Sequence, residues 1–357
     1  MKVLFVYKYL TLGGVEAVLR ARLDGLAESA GIEAHAWFFH DYGGRSIFQG
    51  REDRLHVGPV EECLRFARRE GFDLLASIDS EEVLPGFAPF ALVPPERPRL
   101  VMECHSAYLA SIEYLRGLAA YRPAAVFTPS EGQRRLVRER LAPGIDVRVV
   151  PNPLRREFVE PPTPFPAPPP RPVVAWIGRL DEHKNWRGFV EIAGELGRRG
   201  VEHEAWIIGQ PVEADGAERL LEAAREERAL RRLRWFGALP YGRIPAFLDA
   251  VRDSGGVVIS TSRGESFGLT IAEAMARGCA VAAPDMSPFP EFVHPRRTGA
   301  LFTPGSSTSA AAALQELLAD PALRATLGRQ GRESILEKFA PEPALAVLAA
   351  ELRRLMG

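Results

Sequence analysis

The stretch ISTSRGESFGLTIAEAMARGCAVAAPD, residues 259–285, determines the fold class. It begins with the end of an apolar segment, which predicts a buried strand that ends at Ser260. A loop follows, and the spacing of apolar residues predicts a helix over 269–277 with Gly278 as its C-cap. The apolar run 279–283 predicts the next strand. Strand, helix and strand in this order form a βαβ unit, which is typical of a parallel sheet in an α/β protein.

The same alternation extends in both directions along the chain. Strands are predicted at 3–7, 34–39, 74–78, 100–103, 125–128 and 147–150, and again at 173–177, 204–208, 233–236, 257–260, 279–283 and 300–302. The two series are separated by PPTPFPAPPPRP, residues 161–172, in which eight of the twelve residues are proline. Proline cannot continue a helix or a central strand, so this segment is predicted to be a semi-rigid linker.

A length of 357 residues is also typical of about two domains. We therefore predict an N-terminal Rossmann-like domain over residues 1–157, a proline-rich linker over 158–172 and a C-terminal Rossmann-like domain over 173–335. C-terminal helices are predicted over 336–357. Two doubly wound domains are expected to face a central cleft, with ligands beyond the carboxyl ends of the strands.

Composition excludes several classes of protein. The formal net charge is −1, so no overall positive field is available for nucleic acid. The three cysteines are far apart and form no CxxC pair, which indicates reduced thiols and a cytoplasmic location. No run reaches the ~20 apolar residues of a membrane span, so only peripheral membrane association stays open. Among the 45 basic residues only four are lysines, one of which is Lys184.

The loop before the predicted helix 269–277 combines amides with carboxylates. Ser266, Phe267, Gly268 and Leu269 place backbone N–H groups at a helix N-terminus, which favours an anion such as phosphate. Glu265 precedes these amides and Glu273 follows eight positions later. Carboxylates beside a phosphate site suit sugar hydroxyls, which donate hydrogen bonds to them. The alternative is an ordinary helix cap whose acidic residues complement the helix dipole.

Four segments resemble the retaining glycosyltransferases of family 4 (glycosyl transferases group 1), which have the GT-B fold. GESFGLTIAEAMARG, residues 264–278, resembles the E-x7-E motif of that family, and IGRLDEHKN, residues 177–185, resembles its loop for the donor diphosphate. TLGGVE, residues 11–16, resembles its first-domain glycine loop, and VVPNPL, residues 149–154, resembles its segment at the domain crossing. The resemblance thus extends over essentially the whole chain. It implies that the N-terminal domain, residues 1–157, binds the acceptor and that the C-terminal domain, residues 173–335, binds the donor. It also implies that the last of the C-terminal helices over 336–357 returns to the N-terminal domain.

The resemblance implies an enzyme, a retaining hexosyltransferase that moves a sugar from a nucleotide diphosphate sugar, UDP- or GDP-linked, to an acceptor hydroxyl. It implies that Arg179 and Lys184 bind the diphosphate, that Glu265 binds hydroxyls of the donor sugar and that Glu273 binds the ribose. It further implies front-face attack, in which the leaving phosphate accepts the proton of the acceptor. No DxD triplet is present, which agrees with the metal-independent chemistry that the family implies, and no cofactor is expected.

For three sets of candidate residues a purely structural explanation is also open. His105 directly follows a predicted strand, and the resemblance gives it contacts with the donor sugar and phosphate, but a lone histidine is often structural. Gly13 and Gly14 allow backbone to approach a donor, but a tight turn between strand and helix also needs glycine. Arg179 and Lys184 also fit a solvated loop, since acidic residues lie between them.

The expected partners are a nucleotide-sugar donor and a small-molecule, glycan or lipid-linked acceptor. Two alternatives stay open at this stage. One is a nucleotide-sugar epimerase of the same fold, and the other is a non-catalytic nucleotide-sugar-binding partner subunit.

Overall fold

The computed structural model of the protein describes residues 1–87, 98–161 and 169–357. The chain divides into two compact units, of which the first comprises Met1–Arg156 and Lys338–Gly357 and the second Glu157–Glu337. The second unit thus begins just before the predicted linker 158–172, and residues 162–168 of that linker lie outside the described residues.

The strands of the described residues belong to two parallel sheets, one in each unit. The described strands are β1 Lys2–Leu10, β2 Glu33–Asp41, β3 Leu55–Val57, β4 Leu74–Ile78, β5 Arg99–Glu103, β6 Ala125–Thr128, β7 Val147–Val149, β8 Val173–Ile177, β9 Glu204–Ile208, β10 Leu233–Trp235, β11 Val257–Ile259, β12 Ala280–Pro284 and β13 Ala300–Phe302. Every predicted strand is confirmed to within a few residues. The sequence analysis missed β3 because its three residues, LHV, are interrupted by a histidine and form no apolar run, unlike the three residues ALF of β13.

Helices follow most strands, as the βαβ pattern requires. They are α1 Gly14–Ala30, α2 Val60–Arg69, α3 Glu131–Arg138, α4 Arg156–Val159, α5 Trp186–Arg198, α6 Gly216–Glu226, α7 Ile244–Asp253, α8 Leu269–Ala276, α9 Ser307–Ala319, α10 Pro321–Phe339 and α11 Pro341–Arg354. Short 3-10 helices include Glu81–Phe87, Ala110–Tyr121, Tyr241–Arg243 and Phe289–Glu291. The predicted helix over 269–277 is confirmed as α8.

The first unit is built on a seven-stranded sheet of order β3-β2-β1-β4-β5-β6-β7. Residues on both faces of β1 are buried, since Val3, Leu4, Phe5 and Val6 have no exposed surface, as expected for a parallel sheet covered by helices. The terminal helix α11 packs on α1, where a Cβ added at Gly25 would lie 2.2 Å from Leu345. The last residues of the chain are therefore part of the first unit.

The second unit is built on a six-stranded sheet of order β10-β9-β8-β11-β12-β13. Its core combines strand residues such as Val174 and Ile207 with helix residues such as Phe189 and Leu314. In each sheet the first strands are added on one side of the starting strand and the later strands on its other side. The strand order therefore reverses between β1 and β4 and between β8 and β11. Ligands of doubly wound sheets bind at such reversal points, beyond the carboxyl ends of the strands. The two predictions of doubly wound, Rossmann-like sheets are confirmed.

Candidate functional site

The loops that follow β8 and β11 start at the reversal point of the second sheet. These two loops contain the residues that are predicted to bind the diphosphate and the donor sugar. Asn185 ties the loops together, since its Nδ2 donates to the Thr261 carbonyl at 3.1 Å and its own carbonyl accepts from Thr261 Oγ1 at 2.8 Å. Trp176 Nε1 donates to the same Thr261 hydroxyl oxygen at 2.9 Å. The sequence analysis did not single out Thr261 or Asn185, whose role is visible only when the loops meet.

Lys184 and Glu265, which are 81 positions apart in the sequence, form an ion pair across these loops. Lys184 Nζ lies 2.5 Å from Glu265 Oε1, and Ser262 Oγ donates to the same oxygen at 2.7 Å. The side chains are 25% and 15% exposed, so solvent reaches both charges. The backbone N–H of Lys184 donates to Asp181 Oδ1 at 2.7 Å, which fixes the base of the lysine. The fold therefore brings together two of the predicted site residues.

Arg179 is placed in the same loop but differently. Its side chain is 65% exposed and forms an ion pair with Asp181, with 3.0 Å between Nη2 and Oδ2. Asp181 thus contacts both predicted diphosphate ligands of this loop, through the Arg179 guanidinium and the Lys184 amide. An exposed arginine of this kind can change rotamer at low cost, because surface ion pairs contribute little free energy.

The N-terminus of α8 lies beside the Lys184–Glu265 pair. Gly268 precedes the helix with φ +82, and a Cβ there would lie 2.7 Å from the Phe289 ring, so both conformation and space require glycine. Glu265 and Gly268 line a small open pocket. Its other lining residues are Trp176, Ile177, Ile259, Ser260, Ser262, Thr270, Ile271 and Phe289. The pocket thus combines a carboxylate, hydroxyls and the start of a helix.

The residues whose amides are predicted to bind an anion differ in burial. Leu269 is the first residue of α8, and Phe267 is 3% exposed and packs its ring 6.2 Å from that of Phe292. Ser266 is half-buried in the preceding loop. The helix dipole and the N–H groups of the first turn face the end of α8 where Gly268 lies.

Glu273 lies in the middle of α8 and is 6% exposed. Its Oε1 accepts a hydrogen bond from the Tyr241 hydroxyl, and the Tyr241 ring meets that of Phe158 edge-on at 5.6 Å. Tyr241 precedes α7 and was not identified from the sequence, because no local pattern links it to a residue 32 positions away. Tyr241 thereby orients the carboxylate that the sequence assigned to a ribose.

In the first unit, Gly13 and Gly14 begin α1 after β1. The Glu16 carboxylate folds back onto this turn, where Oε1 accepts from the Thr11 amide at 2.6 Å and from Thr11 Oγ1 at 2.5 Å. A Cβ at Gly13 would lie 2.7 Å from Glu16 Oε2, so Gly13 is required for the close approach of this carboxylate. Both the turn and the donor contact by Gly13 and Gly14 stay predictions, since the backbone of Gly13 is extended, with φ −122.

His105 follows β5 and is part of a buried network of charged groups. Its Nε2 lies 3.1 Å from Glu103 Oε2, and Glu103 Oε1 accepts from Arg22 Nη1 at 2.8 Å. The backbone N–H of His105 donates to both Asp79 oxygens, at 3.1 and 3.2 Å. The Arg22 and Glu103 side chains are 0% and 1% exposed, and that of His105 is 5% exposed. Sequence reasoning identified only His105, because Arg22 and Asp79 belong to distant segments and Glu103, at the end of β5, shows no pattern that links it to them.

Burial and neighbouring charges act differently on the two carboxylates of this network. Burial raises the pKa of Asp79 to about 6, against the lowering effects of the His105 charge and of the hydrogen bonds that Asp79 accepts. Burial alone would raise the pKa of Glu103 also, but Arg22 and His105 hold that pKa below its usual value. Glu103 is therefore a stable buried anion at neutral pH.

Other candidate features are limited. Cys63, Cys104 and Cys279 are free and buried, and burial raises the pKa of the Cys279 thiol to about 12. Among residues 1–87, 98–161 and 169–357, no group of three His, Cys, Asp or Glu side chains is arranged to hold a metal ion. Within the same residues, no helix has the length and apolar character required to cross a membrane.

Comparison with solved structures identifies the fold. The crystal structure of Anabaena Alr3699/HepE in complex with UDP-glucose superposes with a TM-score of 0.83 at 19% identity, over 99% of this chain and all of that one. At this identity the likeness establishes the fold. The chain has two parallel-sheet Rossmann-like domains, and its structural neighbours are GT-B glycosyltransferases.

Sequence comparison points to a particular family. Residues 162–334 match the sequence model of the family Glycosyl transferases group 1, so the second unit carries a domain of this family. The 2-deoxystreptamine glucosyltransferase of Streptomyces kanamyceticus is 30% identical over 188 residues, which are 52% of this chain and 46% of that protein. The alpha-D-kanosaminyltransferase of the same organism is 30% identical over 175 residues, 49% of this chain and 41% of that protein. The chain thus spans less than half the length of these curated relatives.

Proposed function

We propose that the protein is a retaining glycosyltransferase that uses a nucleotide diphosphate sugar as donor and a hydroxyl group as acceptor. The observation that carries this proposal is the meeting of Lys184 and Glu265, 2.5 Å apart, at the reversal point of the second sheet and beside the N-terminus of α8. A cation, a carboxylate and helix amides are the groups that phosphates and sugar hydroxyls require. The family match of the same unit and the UDP-glucose bound by the neighbour of like fold support the same chemistry.

Each ligand group has a proposed partner. The diphosphate takes the Lys184 ammonium away from Glu265 and draws Arg179 from Asp181, while the amides near Gly268 bind a phosphate oxygen. Glu265 then accepts hydrogen bonds from hydroxyls of the sugar. Glu273, oriented by Tyr241, accepts from the ribose hydroxyls. The solvent-accessible pairs of Lys184 and Arg179 are suited to this exchange because a ligand anion can replace the carboxylate without leaving a fully buried charge alone.

In the proposed reaction the bond between the anomeric carbon and the diphosphate oxygen breaks as the acceptor oxygen bonds to the same face of that carbon. The acceptor proton passes to the departing phosphate oxygen. Once the donor is bound, Lys184, Arg179 and the helix amides stabilise the charge that grows on the diphosphate, and this stabilisation lowers the barrier. No carboxylate serves as nucleophile, so the two-carboxylate scheme of glycoside hydrolysis does not apply to Glu265 and Glu273.

The test is a thermal-shift and turnover experiment with UDP-, GDP-, ADP- and dTDP-linked sugars. A donor that binds only the folded state raises Tm, by an amount that depends on its concentration relative to Kd. We expect one base to raise Tm in the wild type and to lose this effect in Lys184→Ala. Arg198→Ala, which removes two ion pairs of an exposed arginine on α5 in the same unit, is the matched control and keeps the effect.

The outcomes also separate the two alternatives. Donor consumption that requires an acceptor and yields a product of unchanged anomeric configuration supports the proposal. Interconversion of the donor without acceptor indicates an epimerase, and binding without any turnover over a broad acceptor panel indicates a non-catalytic binding protein. No Tm change with any of the four donor classes contradicts all three.

A further inference from the structure

The buried network around His105 contains charged side chains that have no role in the proposed reaction. Arg22 is completely buried in α1, and its guanidinium lies 4.9 Å from the centre of the Phe5 ring. One of its nitrogens, Nη1, donates to Glu103, while Nε and Nη2 have no partner among the described residues. Burying a guanidinium with two unsatisfied nitrogens is costly, so a purely structural role would be better filled by an apolar residue. The cost indicates that the Arg22–Glu103 pair has another use.

Glu103 connects this pair to His105. It is the last residue of β5, and its two oxygens face different partners, Oε1 the Arg22 guanidinium and Oε2 the His105 ring. Because an ionised carboxylate only accepts hydrogen bonds, the ring nitrogen that meets it, Nε2, must carry a hydrogen. The other ring nitrogen, Nδ1, takes no part in this contact. In the neutral ring Nδ1 is then the acceptor.

Arg22 keeps Glu103 ionised, and the ionised carboxylate selects the tautomer of His105. A carboxyl group that is 1% exposed would take up a proton without a cation nearby, and it could then donate to the histidine as well as accept. With Arg22 beside it, the carboxylate stays ionised and the ring has one preferred tautomer. Asp79 fixes the other end of the residue by accepting from the His105 backbone N–H.

We propose that Arg22 and Glu103 are positioning residues for His105: the pair holds the imidazole as its Nε2–H tautomer and leaves Nδ1 as the ring atom for the substrate. Neither residue touches substrate in this scheme. The role of Nδ1 rests on the proposed function, whereas the tautomer does not, so the two are tested by separate measurements.

The first measurement is nitrogen-detected NMR of protein labelled with ¹⁵N only in histidine, at a pH where the rings are neutral. His105→Asn identifies the His105 signals among those of the seven histidines. We expect wild-type His105 to show the Nε2–H tautomer alone. In the double variant Arg22→Met/Glu103→Gln, which removes both buried charges and therefore remains able to fold, we expect both tautomers because a neutral amide accepts and donates equally.

The matched control is a buried pair of the second unit, Arg277 and Asp249, with 2.6 Å between Nη2 and Oδ2 and side chains 2% and 4% exposed. Arg277→Met/Asp249→Asn should lower Tm and leave the His105 tautomer unchanged. Wild-type His105 in the Nδ1–H form, or a single Nε2–H form that persists in Arg22→Met/Glu103→Gln, overturns the proposal.

The second measurement is kinetic and uses the donor that raises Tm in the wild type. Loss of the carboxylate behind a metal-bound histidine changes activity by about 10- to 100-fold. By analogy we expect kcat to fall about tenfold in Arg22→Met/Glu103→Gln, with KM for the donor within twofold. An unchanged kcat despite mixed tautomers overturns the role of Nδ1. If no donor binds the wild type, the proposed function fails while the NMR result on the tautomer still stands.

Discussion

The two units place a cation–carboxylate pair near the carboxyl edge of their sheets, but they expose those pairs to water very differently. In the first unit the Arg22 and Glu103 side chains are 0% and 1% exposed, whereas in the second Lys184 and Glu265 are 25% and 15% exposed. A buried pair is costly to separate because each partner would be left as an isolated charge, while a solvated pair is exchanged easily. The first pair therefore fits a fixed scaffold, and the second fits a ligand site.

The largest effect should come from breaking the buried pair on one side. Glu103→Ala leaves Arg22 buried without an anion, and we expect the free energy of unfolding to fall by about 3–5 kcal/mol. Urea denaturation measures this loss. The double variant Arg22→Met/Glu103→Gln should recover most of it, because it buries no unpaired charge. A loss below about 1 kcal/mol, typical of a surface pair, would place this pair in the same class as Lys184–Glu265.

The second effect is a pH dependence of the free energy of unfolding, which we expect from a carboxyl group of the first unit. Burial raises the pKa of Asp79 from 3.8 to about 6, against the effects of His105 and Lys8. The folded state therefore binds this proton more tightly than the unfolded chain, so the contribution of Asp79 to stability is present below pH 4 and is lost as pH rises through 6. The difference corresponds to at most about 3 kcal/mol.

Asp79→Asn removes this titration and keeps an oxygen for the His105 amide. We expect its free energy of unfolding, measured by urea denaturation from pH 4 to 7, to decline less with rising pH than that of the wild type. Parallel pH profiles of the two proteins would show that Asp79 is not the buried acid that the geometry indicates.

In the second unit the expected effect is on affinity instead of stability. Lys184→Ala should weaken binding of the donor by about 10- to 100-fold, since hydrogen bonds to charged groups contribute about 1.5–3 kcal/mol. Its free energy of unfolding should change by less than about 1 kcal/mol, because the pair is solvated. Isothermal calorimetry and urea denaturation of one preparation give both values. A large stability loss with unchanged affinity would reverse the contrast between the units.

The smallest effect is expected from metal removal. If Lys184, Arg179 and the α8 amides neutralise the diphosphate, excess EDTA should leave the rate of sugar transfer unchanged. The assay compares initial rates before and after chelation, with Mg²⁺ or Mn²⁺ added back. A rate that is lost and then restored by either metal would contradict this assignment of charge in the second unit.

The fold was largely predictable because its signals are local. Short apolar runs alternate with amphipathic segments, and each run of four or more residues gave a strand at the expected place, including Leu74–Ile78 and Glu204–Ile208. Gly268 marked the start of α8 for a reason that the structure gives, namely its left-handed φ and the Phe289 ring against it. The short strand Leu55–Val57 was missed because pairing with β2, and not its own pattern, makes it a strand.

The candidate site was predictable only where one segment contains several of its groups. Glu265 and Gly268 share a loop, and Arg179 and Lys184 share another, so their residue types alone indicated anion and sugar binding. Tyr241, Thr261 and Asp79 lie in segments with no such pattern. Their roles depend on hydrogen bonds to residues 26 or more positions away, which no local spacing encodes.

The sequence by itself determined the two series of βαβ units, the strand-to-helix loops that contain polar groups and the glycine before α8, because these follow from periodicity and backbone conformation. Only the tertiary structure decided which charges meet and how much water reaches them. It brought Lys184 into contact with Glu265 at a position that solvent reaches, and it buried the Arg22–Glu103 pair inside the first unit. The strength of a charge pair depends on its dielectric surroundings, and burial arises from packing of distant segments, so residue identity could not distinguish these two pairs.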